Sequence, residues 1–278
     1  MKKILTYILL TLFFLMLVLI YGRFVGVNGL NTKEYLIYSN SIDSGYNGVK
    51  ILHFSDLHYK KVITEKRVND IVIEINNVNP DIVIFTGDLF DDDYELTKDD
   101  IDFLIKTLSK IESKYGKYAV IGDNDFDDIE SLKNIYSQSN FKLLDNNFEV
   151  IKNEDNNNLF IGGISSYIKN DADTTKINEY LDKHPDIPYK IIIMHEPDYF
   201  DKLASSFDLV LAGHSLNGSI NVPLIKRLFL ENGAKKYYNK YYDLNDTDFY
   251  ISNGIGVSNI NFRLFNVPTI NVYRIIKR

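Results

Sequence analysis

Five apolar runs in this chain each stop at a cluster of carboxylate and imidazole groups, and that repetition limits the possible folds more than any other feature. The stretch from Ile51 to Asp91 reads as strand, Ser55-Asp56-Leu57-His58, helix, strand, Gly87-Asp88-Leu89-Phe90-Asp91. Further on, Tyr118 to Ile121 runs into Gly122-Asp123-Asn124-Asp125, Ile191 to Met194 into His195-Glu196-Pro197-Asp198, and Leu209 to Ala212 into Gly213-His214-Ser215-Leu216-Asn217-Gly218. Short apolar runs bounded by turn residues read as buried strands. Ligands of open α/β sheets bind beyond the carboxyl ends of the strands, so these strand ends are expected to converge on one site.

Periodicity supplies the elements between the runs. Val68, Ile71, Val72 and Ile75 share one helical face, with Thr64 placed to cap it and Asn79-Pro80 to end it before the strand Asp81 to Phe85. Ile101, Leu104, Ile105, Leu108 and Ile111 form a second face, capped by Thr97, with Asp99 and Asp100 where the helix dipole favours negative charge. Further helices are expected around Ile129 to Ile135 and Ile177 to Leu181. A first strand is expected at Glu34 to Ser39, and Phe148 to Ile151 with Leu159 to Ile161 reads as a hairpin. Strands at Tyr189 to Met194, Phe249 to Ser252 and Thr269 to Ile275 complete the set. The fold class is α/β, with two mixed β-sheets packed together and flanked by helices.

Residues Ile4 to Tyr21 form an uncharged apolar run, and at about 1.5 Å per residue it spans roughly 27 Å, enough for a single transmembrane helix. A cleaved signal peptide has a shorter apolar region ending at a small-residue site, and no A-x-A pattern follows here. The chain therefore divides into an anchor, 1–28, and a domain, 29–278. Lys2 and Lys3 keep the amino terminus cytoplasmic and put the domain on the outer face of the cell membrane, with Arg23 weighing the other way. A net charge of -7 and a pI near 5.3 offer no basic field for nucleic acid. The absence of cysteine excludes disulfides, thiolate metal sites and cysteine nucleophiles.

Bringing Asp56, Asp88, Asp91, Asp123 and Asp125 together has an electrostatic cost. Two unit charges about 4 Å apart repel by roughly 4 kcal/mol at an effective dielectric near 20, so a cation or protons must accompany them. Mixed carboxylate and imidazole ligands suit manganese, iron or zinc better than calcium.

Asp56-x-His58, Gly87-Asp88-x-x-Asp91, the turn at Gly122, His195 and Gly213-His214, in that order, resemble the calcineurin-like metallophosphoesterase family. Ser252-Asn253-Gly254-Ile255-Gly256 and Arg263-Leu264-Phe265-Asn266-Val267-Pro268 resemble the closing segments of its membrane-anchored bacterial branch. The resemblance implies one or two divalent metal ions acting on a phosphate ester. It gives Asp56 and His58 to the first metal, Asp88 to both, and Asp123, His195 and His214 to the second. The anchor makes a lipid-linked or cell-envelope phosphate a candidate substrate.

The sequence departs from the family pattern twice. Asn124 stands where the family has a histidine that assists the transition state, and an amide donates a hydrogen bond but carries no proton across. Asp91, which orients that histidine in the family, is then expected to bond Asn124. Leu216 stands where the family has a further ligand of the first metal, so one tight and one weak or empty metal position are expected. Two functions stay open: a metal-dependent phosphoesterase, or a weakened metal- and phosphate-binding protein that serves as sensor or scaffold. His53 reads as structural and His184 as a loop residue. The basic and aromatic residues between Lys226 and Tyr242 read as either a lid for anionic lipid or a solvated hairpin. Asp92 and Asp93 are expected in solvent.

Overall fold

The computed structural model describes residues 2–91, 94–222, 226–244, 246–258 and 260–278, so Asp92 and Asp93 lie outside the described residues. It begins with α1 (Lys2–Ile20), which a wider helical turn extends through Tyr21–Val25. The helix Lys2–Val25 is long and apolar enough to cross a membrane; its most apolar stretch packs against nothing in the domain, and Gly22 near its end is buried. The first sheet runs β1 (Asn31–Ser39), β12 (Thr269–Lys277), β2 (Val49–Phe54), β3 (Ile82–Phe85), β4 (Lys117–Ala119), β5 (Phe141–Leu143). The second runs β10 (Tyr241–Leu244), β11 (Thr247–Ile251), β9 (Leu209–Ala212), β8 (Lys190–Met194), β7 (Asn158–Gly163), β6 (Asn147–Lys152).

Strict alternation along the inner strands builds the layers. Ile51, Ile82, Ile84, Ile191, Ile193, Leu209 and Leu211 all enter one cluster between the sheets. Their neighbours Leu52, Phe54, Val83 and Phe85 face α2 (Glu65–Val78), α3 (Lys98–Leu108) and α4 (Ile129–Gln138). Ile192, Met194, Val210 and Ala212 face the opposite side, towards α5 (Thr175–Lys183). A residue period of two, apolar on both faces, is what a sheet covered on both sides requires. The result is a helix, sheet, sheet, helix sandwich.

The capping residues act as the sequence suggests. The Thr64 hydroxyl accepts from the Arg67 amide, and Thr97 forms a reciprocal capping box with Asp100. The helix after Thr97 ends at Leu108, however, so Ile111 reaches the core from the following turn and not from the helical face. The segment from Lys226 to Tyr242 is not a solvated hairpin. A short 3-10 turn, Lys226–Phe229, is followed by irregular chain that buries Ala234 and Tyr237, because Tyr237 packs edge-on against Tyr242 and Phe200. His53 is buried between the sheets and His184 ends α5, stacked on Tyr180.

Topology places the apolar helix. β12 runs antiparallel to β2 and parallel to β1, so the first residues of β1 lie at the end of the sheet where β2 runs into the turn of Asp56. Helix and strand-end carboxylates therefore sit at the same end of the sandwich.

Candidate metal centre

The turns after β2 and β3 clasp each other. The amides of Asp56 and Leu57 donate to the carbonyls of Gly87 and Asp88 at 3.0 and 2.7 Å, and the His58 amide donates to the Asp88 carbonyl at 3.2 Å. Asp56, His58, Asp88, His214 and Leu216 all take positive φ, between 46° and 61°. Each such residue costs about 1 to 3 kcal/mol and persists only where its surroundings fix it. Four of these five are residues that the sequence assigns to metal binding. Gly213 is required by close approach, since a Cβ there would lie 2.0 Å from the Ser55 hydroxyl.

These turns gather two sets of groups, Asp88, Asp123, His195 and His214 in one and Asp56, His58 and Asp88 in the other, with the ligand atoms of each set within 4.8 Å of one another. Asp88 belongs to both. His195 Nε2 lies 3.3 Å from Asp88 Oδ2 and 3.2 Å from Asp123 Oδ1, and His214 Nδ1 lies 3.2 Å from the same Asp123 oxygen. The outward nitrogens are taken: His195 Nδ1 sits 2.6 Å from the Thr86 carbonyl and His214 Nε2 sits 2.6 Å from the Asn232 carbonyl. A carbonyl only accepts, so both outward nitrogens carry hydrogen and the inward lone pairs of the neutral rings face the acids. Backbone carbonyls fix metal-ligating histidines in this way. His58 Nε2 has no hydrogen-bond partner, and Asp123 Oδ1 is similarly orphaned although buried. Buried polar atoms are ordinarily paired, and divalent cations held one in each set would satisfy these two.

The charge balance agrees. Burial opposes charge on His195, yet Asp88, Asp123 and Asp56 push its proton affinity well above the usual range. His214 is pushed up to about 9, Asp123 outweighing burial and the neighbouring His195. The cluster draws in positive charge, and metal and protons compete for the same lone pairs.

Asp125 and Asp91 lie outside both sets. Asp125 turns its carboxylate to the amides of Asp88, Leu89 and Gly122 at 2.8 to 2.9 Å. It thereby joins the turns that carry Asp88 and Asp123. Burial and the Asp88 charge push its carboxyl up to about 7. Asp91 meets Lys61 Nζ at 2.8 and 3.0 Å and lies 3.2 Å from His58 Nδ1. The expected bond between Asp91 and Asn124 is not formed. The Asn124 side chain instead donates to Asp88 at 2.6 Å, with its own amide reaching the other Asp88 oxygen at 3.1 Å. Its short side chain sits in the turn directly over Asp88, while Asp91 is held by the lysine.

Leu216 is buried, and a Cβ on Gly254 would lie between its methyl, 2.2 Å away, and the Asp56 Cβ, 3.0 Å away. An apolar side chain therefore borders the smaller set. Arg263, fully buried, gives its guanidinium to the carbonyls of Gly256 and Asn253. Burial pulls its pKa down to about 10 against the favourable Asp56 charge. Sequence reading left Arg263 without a role, since nothing in its spacing reveals burial behind a carboxylate. Asp123 and His214 border a cleft of about 530 Å³ whose walls include Ile220, Leu228, Phe229 and Ile260.

A family model described as calcineurin-like phosphoesterase matches residues 49–218, well over half the chain. The chain belongs to the calcineurin-like phosphoesterase family. It is 26% identical over 258 residues to uncharacterized metallophosphoesterase YkuE of Bacillus subtilis (strain 168), covering 91% of this chain and 88% of the relative. Uncharacterized metallophosphoesterase YkoQ of the same organism is 26% identical over 275 residues, covering 93% of this chain and 97% of the relative. A transmembrane protein with metallophosphoesterase domain from Bos taurus is 24% identical over 234 residues, covering 78% of this chain and 51% of that protein. The family and the clustered acids and histidines fit divalent metal ions and phosphoester hydrolysis.

Proposed function

We propose that this protein is a membrane-anchored, metal-dependent hydrolase of a phosphomonoester, phosphodiester or pyrophosphate bond, with its domain on the outer face of the cell membrane and a lipid-linked or envelope phosphate as substrate. Asp88, Asp123, His195 and His214 hold one divalent cation tightly. Asp56, His58 and the shared Asp88 hold another more weakly, since Leu216 offers it no lone pair. Manganese, iron and zinc suit these ligands. Such ions, when bound, lower the pKa of water and neutralise charge developing on phosphoryl oxygens.

The chain's own groups do the rest. The carbonyls of Thr86 and Asn232 hold His195 and His214 in the tautomers that turn lone pairs inward. Asp125 keeps the turns of Asp88 and Asp123 in register through three backbone amides. Asn124 supplies an amide donor over Asp88 but no proton, so esters with acidic leaving groups react best. Asp91 steadies His58 and Lys61.

The observation that carries this reading is the buried set of four groups joined through Asp88 to a second set in which His58 Nε2 is buried without a partner. The test is hydrolysis of an aryl phosphodiester by the full chain, titrated with manganese, beside Asp88→Asn. Saturable turnover absent from the variant is expected. No turnover above the variant in folded protein overturns the hydrolase and leaves a metal- and phosphate-binding protein.

A further inference from the structure

The closing segment of the chain welds three things together: anchor, metal centre and cleft. The Arg263 amide donates to the Gly22 carbonyl at 3.0 Å, in the last turns of the apolar helix. A Cβ on Gly22 would strike the Phe262 ring at 2.3 Å, and one on Gly26 would strike the Arg263 carbonyl at 2.1 Å, so the helix end is packed directly on this segment. One residue on, the Leu264 amide donates to Ser219 and its carbonyl accepts from Asn221, both at 2.9 Å. That pairing brings in the chain beside Ile220 in the cleft wall. Thr269, at the start of β12, leans on Gly254, behind Asp56.

Around this weld the surface is apolar where water would otherwise meet it. Phe24 is 63% exposed and Val25 54%, at the helix end; Phe265 is 70% exposed, Leu228 78% and Ile260 51%, on the domain. Leu228 and Ile260 also line the cleft that reaches Asp123 and His214, and Lys235 lines it as well. Large apolar side chains grouped at the foot of an apolar helix are continuous with whatever that helix is dissolved in.

We propose that Phe265, Leu228 and Ile260 form a second membrane contact that sets the cleft mouth on the bilayer surface, and that the cleft takes an amphiphilic phosphate ester. The headgroup reaches the metal residues while its hydrocarbon chain lies along Ile220, Leu228, Phe229 and Ile260. The assignment of substrate rests on the hydrolase reading above; the membrane contact does not.

The chain contains no tryptophan, so Phe265→Trp and Leu228→Trp each place a single reporter in the full-length protein, reconstituted in phosphatidylcholine vesicles. Tyr38→Trp is the control, at the exposed far end of β1 from the anchor. Brominated acyl chains are expected to quench both rim reporters and to leave the control untouched, while aqueous iodide quenches only the control. Iodide quenching at both rim positions without bromine quenching overturns the proposal, as does crosslinking that covers the rim with a second copy of the chain. In a second arm, Phe265→Ser is expected to hydrolyse vesicle-borne phosphatidic acid about tenfold more slowly relative to a soluble aryl phosphodiester. An unchanged ratio overturns the delivery of substrate from the bilayer. Bromine quenching with neither ester hydrolysed by the parent protein upholds the membrane contact and refutes the hydrolase.

Discussion

Replacing His53 by glutamine should make the fold less sensitive to acid, and the size of the effect follows from where the imidazole sits. His53 lies on the inter-sheet face of β2 with no exposed surface, its Nε2 2.9 Å from the Thr86 hydroxyl and its Nδ1 3.4 Å from that of Tyr273. Burial pushes its pKa down from 6.5 to about 3. Below the unfolded value the unfolded chain binds a proton that the folded chain refuses, so the contribution is fully present above pH 6.5 and is lost as the pH falls towards 3. At about 1.4 kcal/mol per pH unit, acidification to pH 5 removes about 2 kcal/mol, a large part of a total stability of about 5 to 15 kcal/mol. Glutamine can still bond Thr86 and has nothing to titrate. Urea unfolding of the full chain in micelles, followed by circular dichroism at pH 7 and pH 5, measures the difference. The parent should lose about 2 kcal/mol more than His53→Gln over that interval. The metal-centre groups titrate in both proteins and cancel. Equal losses would refute the view that His53 is held neutral by burial.

Three further outcomes are expected. Asp88→Asn should abolish most of the stabilisation by manganese, which for the parent is about 2.7 kcal/mol at a hundredfold excess over Kd; thermal unfolding with and without the ion measures it, and an unchanged shift would count against Asp88 as the shared ligand. Leu216→His should tighten manganese at the position of Asp56 and His58 by about tenfold, read as a second equivalent in equilibrium dialysis. Histidine also tolerates the positive φ of 48° at this position better than leucine, so misfolding is not the expected result. Gly26→Val drives a side chain into the Arg263 carbonyl and should cost about 1 to 3 kcal/mol of docking. Faster proteolysis between Val27 and Leu30 would report it, and parent-like resistance would show that the helix end is not packed on the domain.

Much of this was legible because strand burial and strand-end chemistry leave marks in the chain itself. Ile82 to Phe85 followed by Gly87-Asp88 tells both that a strand is buried and that a charge waits at its end, and the structure gathers the groups so named. The three-residue strand Phe141–Leu143 was missed, since it is too short to display a period. Ile111 kept the helical spacing after the helix had stopped, because a turn that buries its last residue imitates one more helical position. The partner of Asn124 differs from the expected one for another reason: family geometry points to Asp91, but Lys61 already engages that carboxylate. The carbonyls of Thr86 and Asn232, which set the histidine tautomers, belong to the backbone and have no sequence signature at all.

Only Val27, Asn28, Gly29 and Leu30 separate Gly26 from the first residue of β1, and Gly29 is itself packed on Val267. Fully stretched, so short a connection reaches less than about 20 Å, and packed it reaches hardly anywhere. With the apolar helix spanning a bilayer, as proposed above, the domain would be fixed at the plane of that helix and would sample no depth of the surrounding space. For the bilayer-borne ester proposed above, encounters would be confined to two dimensions, and mole fraction in the leaflet, not bulk concentration, would govern how often it arrives. Diluting vesicles in buffer would leave the rate per protein unchanged, whereas diluting the target with inert lipid would lower it.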